Sequence, residues 1–79
     1  MATIDNQVDE FGNLWVSDLP VRSDLSSAEF LKRFSNYSTI AVDSNSDQVH
    51  AAGNSMEALE KGFLLRSLNP NDYQLEPVL

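Results

Sequence analysis

The chain has 79 residues, 42% of them apolar, with twelve acids against five lysines and arginines, no cysteine and a net charge of −7. That length makes one domain near the lower limit of independent folding, and without thiols there can be no disulfide, cysteine nucleophile or thiolate metal site. An acid excess also argues against gripping nucleic-acid phosphates, which takes basic residues to displace condensed counterions; it suits a basic protein partner or a solvated surface.

The first predicted element is a β-hairpin. Thr3 to Asp9 (TIDNQVD) and Leu14 to Leu19 (LWVSDL) flank Glu10-Phe11-Gly12-Asn13. Gly12-Asn13 supplies the left-handed conformations of a tight turn, and Ile4, Val8, Leu14 and Val16 alternate in part. Pro20 ends the second strand, because proline cannot donate a ladder hydrogen bond. Acids concentrate here: Asp5, Asp9, Glu10, Asp18 and Asp24 face only Arg22 before residue 25.

Leu25-Ser26-Ser27-Ala28-Glu29-Phe30 reads as a capping box with a hydrophobic staple. Ser26 caps the amide of Glu29, and Leu25 packs on Phe30. The helix places Phe30, Leu31, Phe34 and Tyr37 on one stripe and ends near Tyr37. Two short strands follow, Thr39 to Asp43 (TIAVD) and Gln48 to Ala52 (QVHAA). Alternation directs Ile40, Val42, Val49 and Ala51 to one face, and Ala41, His50 and Ala52 to the other.

A second helix is predicted from Met56 to about Ser67, with Asn54 as N-cap and Glu57 in the capping-box position. Met56, Leu59 and Phe63 form its inner stripe, broadened by Ala58, Gly62 and Leu65. Leu64 and Leu68 fall on the opposite side among Glu57, Glu60 and Lys61, unless the helix distorts or ends early. Asn69 to Asp72 breaks the helix, and Tyr73 to Leu79 (YQLEPVL) reads as a last strand with Pro77 marking an edge. The expected fold is α+β, a small mainly antiparallel sheet in the order ββ-α-ββ-α-β, with both helices on one face. The whole chain, 1–79, forms one domain.

Residues 26 to 79 resemble a family of short, uncharacterised prokaryotic α-β-β-α-β domains. Tyr37 before TIAVDS, Ala52-Gly53-Asn54-Ser55, Glu57-Ala58-Leu59 and Leu75-Glu76-Pro77-Val78 carry the resemblance, which implies a fold more than an activity. The opening resembles the hairpin that begins many antitoxin-like proteins, through Val8, Asp9, Gly12, Leu14, Val16, Leu19 and Pro20. That resemblance implies a toxin-neutralising or protein-docking role. The basic residues with which swapped-hairpin dimers of that kind hold DNA are missing here.

Chemistry-bearing candidates are few. His50 is the single histidine, and no neighbouring residue in sequence supplies the partner that acid–base work requires. Asp43-Ser44-Asn45-Ser46-Asp47 has the spacing that opens a calcium loop, but Gln48 stands where that loop needs glycine and Asn54 where it needs a bidentate glutamate. No serine lies in a G-x-S-x-G elbow. The Gly53 corner, VHAAGNSME, runs from strand into helix as phosphate-cradling turns do, yet Glu57 and Glu60 bring negative charge to that helix end.

The expectation is therefore a non-enzymatic, acidic protein-binding or regulatory module without cofactor or metal, an antitoxin-like inhibitor as the hairpin's resemblance implies. Its candidate contacts are Asp9, Glu10, Trp15, Asp18, His50 and Leu64. Its partner is a protein of basic character; neither nucleic acid nor membrane is expected to bind directly. Self-association is also expected, since small chains without staples often gain stability that way. The first twenty residues carry no lysine or arginine, unlike a signal peptide, so a cytoplasmic location is expected. Two alternatives remain: a phage-type anti-defence protein whose acids imitate nucleic-acid phosphates, and a small-ligand binder at the Gly53 corner. Trp15 alternates with Leu14 and Val16, so it belongs either to the open sheet face or to the core.

Overall fold

A computed structural model describes residues 7–78. Five strands and two helices follow the predicted order: β1 (Gln7–Val8), β2 (Leu14–Trp15), α1 (Ser27–Phe34), β3 (Thr39–Asp43), β4 (Val49–Gly53), α2 (Met56–Leu65) and β5 (Tyr73–Pro77). Short 3-10 turns at Arg22–Asp24 and Pro70–Asp72 precede α1 and β5. The strands form one antiparallel sheet in the spatial order β1-β2-β4-β3-β5. The fold is α+β, as the hydrophobic periodicities indicate. Thr3 to Asn6 of the predicted first strand, and Leu79 of the last, lie outside the described residues.

The helices do not share a face. Phe30 and Phe34 of α1 pack with Val16, Ile40, Val42, Val49, Ala52 and Val78, whereas Leu59 and Phe63 of α2 pack with Trp15, Ala41 and Ala51. Ile40 and Val42 therefore point opposite to Ala41, and the sheet is sandwiched between the helices. The physical reason lies in the central strands. In β3 every residue from Thr39 to Val42 is buried, and in β4 only His50 is not. Strands apolar on both faces need cover on both.

One irregularity sets the phase of β4. Ala41 pairs with Ala51 and Val42 with Val49, so His50 is an extra residue opposite the ladder. Such a bulge lets one strand advance a residue without its partner. Val49 keeps the α1 face, but Ala51 moves to the α2 face and Ala52 to the α1 face, the reverse of simple alternation. A bulge has no local sequence signature, so period-two counting misses it.

Boundaries differ for local reasons. Strand β2 ends at Trp15 rather than Leu19, although Val16 still donates to the His50 carbonyl (2.9 Å) and Val49 to that of Pro20 (2.8 Å). Leu19 breaks the run with φ +46°. Helix α1 is capped as expected, Ser26 accepting from the Glu29 amide at 3.2 Å. The return bond comes from the Ser26 hydroxyl to the Glu29 carboxylate (3.0 Å). The helix stops at Phe34, one turn before Tyr37, and Leu31 sits at its exposed edge.

The α2 N-cap is Ser55, not Asn54; its hydroxyl accepts from the Ala58 amide at 3.0 Å. That shift puts Ala58, not Glu57, at the third helical position and removes the predicted capping box. At the other end Ser67 donates to the Leu64 carbonyl (3.1 Å) and Leu68 to that of Phe63 (2.8 Å), with Ser67 at φ +57°. This is a Schellman termination. It ends the helix at Leu65 and folds Leu68 back onto the α2-side core.

Candidate functional site

Three features of the α2 side bear on function: a polar latch, a groove and the helix's outer face.

The latch ties the first hairpin to α2. Asp9 Oδ2 accepts from Trp15 Nε1 (2.8 Å) and Asn13 Nδ2 (3.0 Å), while its Oδ1 accepts from the Asn13 and Phe11 amides. Asn13 Nδ2 also donates to the Ala58 carbonyl of α2 at 2.7 Å, and Asn13 is fully buried. Burial opposes ionisation of Asp9. The donors from Trp15, Asn13 and Phe11 outweigh it and hold the carboxyl below its ordinary range.

Two glycines make room for this network. A Cβ on Gly62 would meet Asn13 Nδ2 at 2.7 Å, Asp9 Oδ2 at 2.9 Å and Trp15 Cζ2 at 3.0 Å. A Cβ on Gly53 would collide with Asn13 Oδ1 and with Leu59 Cγ at 2.9 Å. The strand-to-helix corner at Gly53 is thus filled by the chain's own Asn13 and Leu59.

Beside the latch, a groove of about 410 Å³ opens between the bulged part of β4 and the end of α2, and Trp15, His50, Arg66, Leu68 and Tyr73 help to line it. The Arg66 guanidinium lies 4.2 Å from the Trp15 ring centroid and donates to Gln7 Oε1 at 3.1 Å. Across the groove, Asp43 pairs with Tyr73 in the ladder and His50 of β4 stands beside both. His50 Nδ1 is 3.4 Å from the Tyr73 hydroxyl and Nε2 is 3.7 Å from Asp43 Oδ2. Tyr73 stacks on Phe63 at 4.8 Å with 15° between rings, and meets the His50 ring edge-on.

Local chemistry accounts for the charges. Asp43 Oδ1 accepts from the amides of Asn45 and Ser46, so the D-x-N-x-D segment is a hydrogen-bonded hairpin turn between β3 and β4. The Asn45 amide holds the Asp43 carboxyl below its ordinary range against some desolvation, aided by Ser46 and His50. Burial, and then the nearby charges of Asp43 and Asp72, push the Tyr73 phenol up. Among the described residues, no three His, Asp or Glu side chains are arranged to hold a metal ion. No helix of the described residues is long and apolar enough to cross a membrane.

The six candidate contacts are dispersed. Trp15 is 7% exposed and takes the core position, edge-on to Phe63 and beneath Arg66. Asp9 is bound within the latch. Asp18 makes a two-pronged ion pair with Arg33 of α1, both contacts 2.9 Å, and the bond holds its carboxyl low. His50 lies in the groove. Glu10 is exposed in the hairpin turn. Leu64 is 73% exposed on α2, with Met56 and Leu65 also more than half exposed.

No pattern along the chain marks Asn13, Arg66 or Tyr73 for a role. Gly12-Asn13 reads as an ordinary turn, and Arg66 and Tyr73 stand far from Trp15 and His50 along the chain. Only the pairing of β3 with β5 and the position of α2 over the sheet bring them together. No protein-family model matches the chain, and neither a curated protein nor a solved structure gives a match.

Proposed function

We propose that the chain is a non-enzymatic protein-binding module that docks a basic protein through the outer face of α2, acting in the cytoplasm as an antitoxin-like inhibitor. One observation carries the reading. The inner face of α2 is satisfied by Leu59, Gly62 and Phe63, yet Leu64 and Leu65 project outward at 73% and 53% exposure. Leu64 lies one helical turn from Glu60 and two from Glu57, so the apolar contact has an acidic border. Apolar residues ringed by charge are typical of recognition surfaces. The surplus of acids selects a basic partner and speeds encounter with it.

The acids of the first hairpin support nucleic-acid mimicry less well. Among that hairpin's described residues, Asp9 and Asp18 are already engaged with Trp15, Asn13 and Arg33, which leaves Glu10 without such a bond. The Gly53 corner is filled from within.

Co-purification from the native host tests the docking reading. The parent chain should retain a basic protein at low salt and release it as salt rises. The double variant Leu64→Glu, Leu65→Glu should lose it while keeping its circular dichroism spectrum, because exposed substitutions cost about 0.5 kcal/mol or less. A partner retained equally by both chains rejects α2 as the docking face. No partner under any condition removes the docking function itself.

A further inference from the structure

We propose that the groove between the β4 bulge and the end of α2 is a binding site for a small aromatic monocarboxylate, with Arg66 as its anion anchor and His50 and Tyr73 at its other end. This site is separate from the outward leucines of α2.

Size and lining fit a small planar molecule. A volume of about 410 Å³ falls within the ~300–1,000 Å³ usual for small-molecule sites. The lining combines apolar side chains, Leu19 and Leu68 among them, with a few convergent polar groups. Trp15 and Tyr73 are both braced against Phe63, so neither wall collapses readily into the space.

Arg66 is built as an anchor. Among the described residues it forms no ion pair, and its guanidinium is fixed by stacking on Trp15 and by one hydrogen bond to Gln7. The remaining edge of the fork is free to take a carboxylate through two parallel N–H donors. Fixing the fork before the ligand arrives lowers the ordering cost of binding. The Phe63 and Leu64 carbonyls at this helix end already accept from Leu68 and Ser67, which blunts the negative end of the helix dipole.

The far end supplies orientation. His50 stands 3.4 Å from the Tyr73 hydroxyl and 3.7 Å from Asp43, the latter beyond hydrogen-bond reach. Its ring retains capacity to bond a ligand substituent. Alternation from Val49 directs the imidazole to the α2 side, and the bulge brings Ala51 to that side beside it.

Charge limits the ligand to one negative unit. Asp43 lies beside His50, and its charge and that of Asp72 both act on Tyr73. The whole chain carries −7. One guanidinium balances a carboxylate, whereas a phosphate dianion would face uncompensated repulsion.

Titration with benzoate, followed by amide NMR, tests the site. Trp15 is the only tryptophan, so its indole N–H is a single assignable reporter beside the amides of Arg66, Tyr73 and Ser17, which also lines the groove. Benzoate should give saturable shifts at these signals, while benzamide, of the same shape without charge, should give none. Phenyl phosphate should bind more weakly than benzoate. Arg66→Met keeps a hydrocarbon stem over Trp15 and should raise the dissociation constant about tenfold or more, the loss expected for a charge-assisted bond. Arg66→Lys, should the methionine variant fold poorly, should weaken binding several-fold by removing the fork. The proposal is overturned if benzoate produces no saturable shift, if benzamide binds as well, or if the folded arginine variants bind benzoate as the parent does. Tighter binding of phenyl phosphate overturns the assignment to a monocarboxylate.

Discussion

Asn13 reads in the sequence as half of a Gly-Asn turn. In the fold it is a fully buried amide that joins the Asp9 carboxylate to the Ala58 carbonyl. Gly62 exists to let it in. Alanine at Gly62 would gain up to about 1 kcal/mol of helix propensity, but its methyl group would enter three contacts of 2.7 to 3.0 Å, two of them to atoms of the latch. Overpacking of that kind costs about 1–3 kcal/mol, so Gly62→Ala should be net destabilising, read as a lower urea midpoint of Trp15 fluorescence. Asp9 makes a second prediction. Its folded pKa is depressed below the ordinary 3.8, so its contribution is fully present above that value and is lost as pH falls through the lower folded value. Stability should therefore decline on the acid side of about pH 4. Asp9→Asn should be less stable at pH 7 and show a shallower acid decline. An unchanged slope would mean that Asp18 and Asp43, which are also held low, account for it alone.

At the scale of elements, the ends of α2 carry most of the information that periodicity lacks. The helix is legible from Leu59 and Phe63, whereas Met56, expected on the same inner stripe, is exposed at the first turn; the helix's length is not legible. Continued regularly to Ser67, it would leave both Leu64 and Leu68 outside. The Schellman turn at Ser67 separates their fates: Leu64 stays in solvent and Leu68 joins the core. Ser67 adopts φ +57°, a conformation that favours glycine. Ser67→Gly should accordingly stabilise by about 0.5–1 kcal/mol, or a few degrees in thermal midpoint for a domain of this size. A lower midpoint would show that the greater freedom of glycine in the unfolded chain outweighs the relief. The β4 bulge is the other decisive local event, because it exchanges the faces of Ala51 and Ala52 and so sets Ala51 on the same side as His50.

For the whole molecule, the balance of charge dominates. With twelve acids against five bases, the surplus negative charges repel one another over described residues that extend 29 × 28 × 23 Å, and salt shortens the reach of that repulsion to about 10 Å at 0.1 M. The principal opposing pair, Arg33–Asp18, is partly exposed, and such pairs contribute about 0–1 kcal/mol. Raising sodium chloride from low to moderate concentration should thus raise the thermal midpoint. A steady fall would mean that ion pairs outweigh repulsion. The same surplus of acids bears on the two proposed sites: it would favour a basic protein at α2 and a ligand of low charge in the groove.

The order ββ-α-ββ-α-β, the Ser26 cap, the edge position of β5 and the absence of thiol chemistry all follow from the amino-acid sequence, because each depends on residues within one or two turns of one another. His50 and Leu64 are visible there as anomalies, and so is the Gly53 corner. Tertiary structure alone decided that the helices cover opposite faces, that Trp15 is interior, and that the corner is filled by Asn13. It also decided that Arg66 joins Trp15 while Tyr73 joins His50. These outcomes depend on strand pairing, a bulge and close approach between distant segments, and pattern along the chain does not encode them one residue at a time.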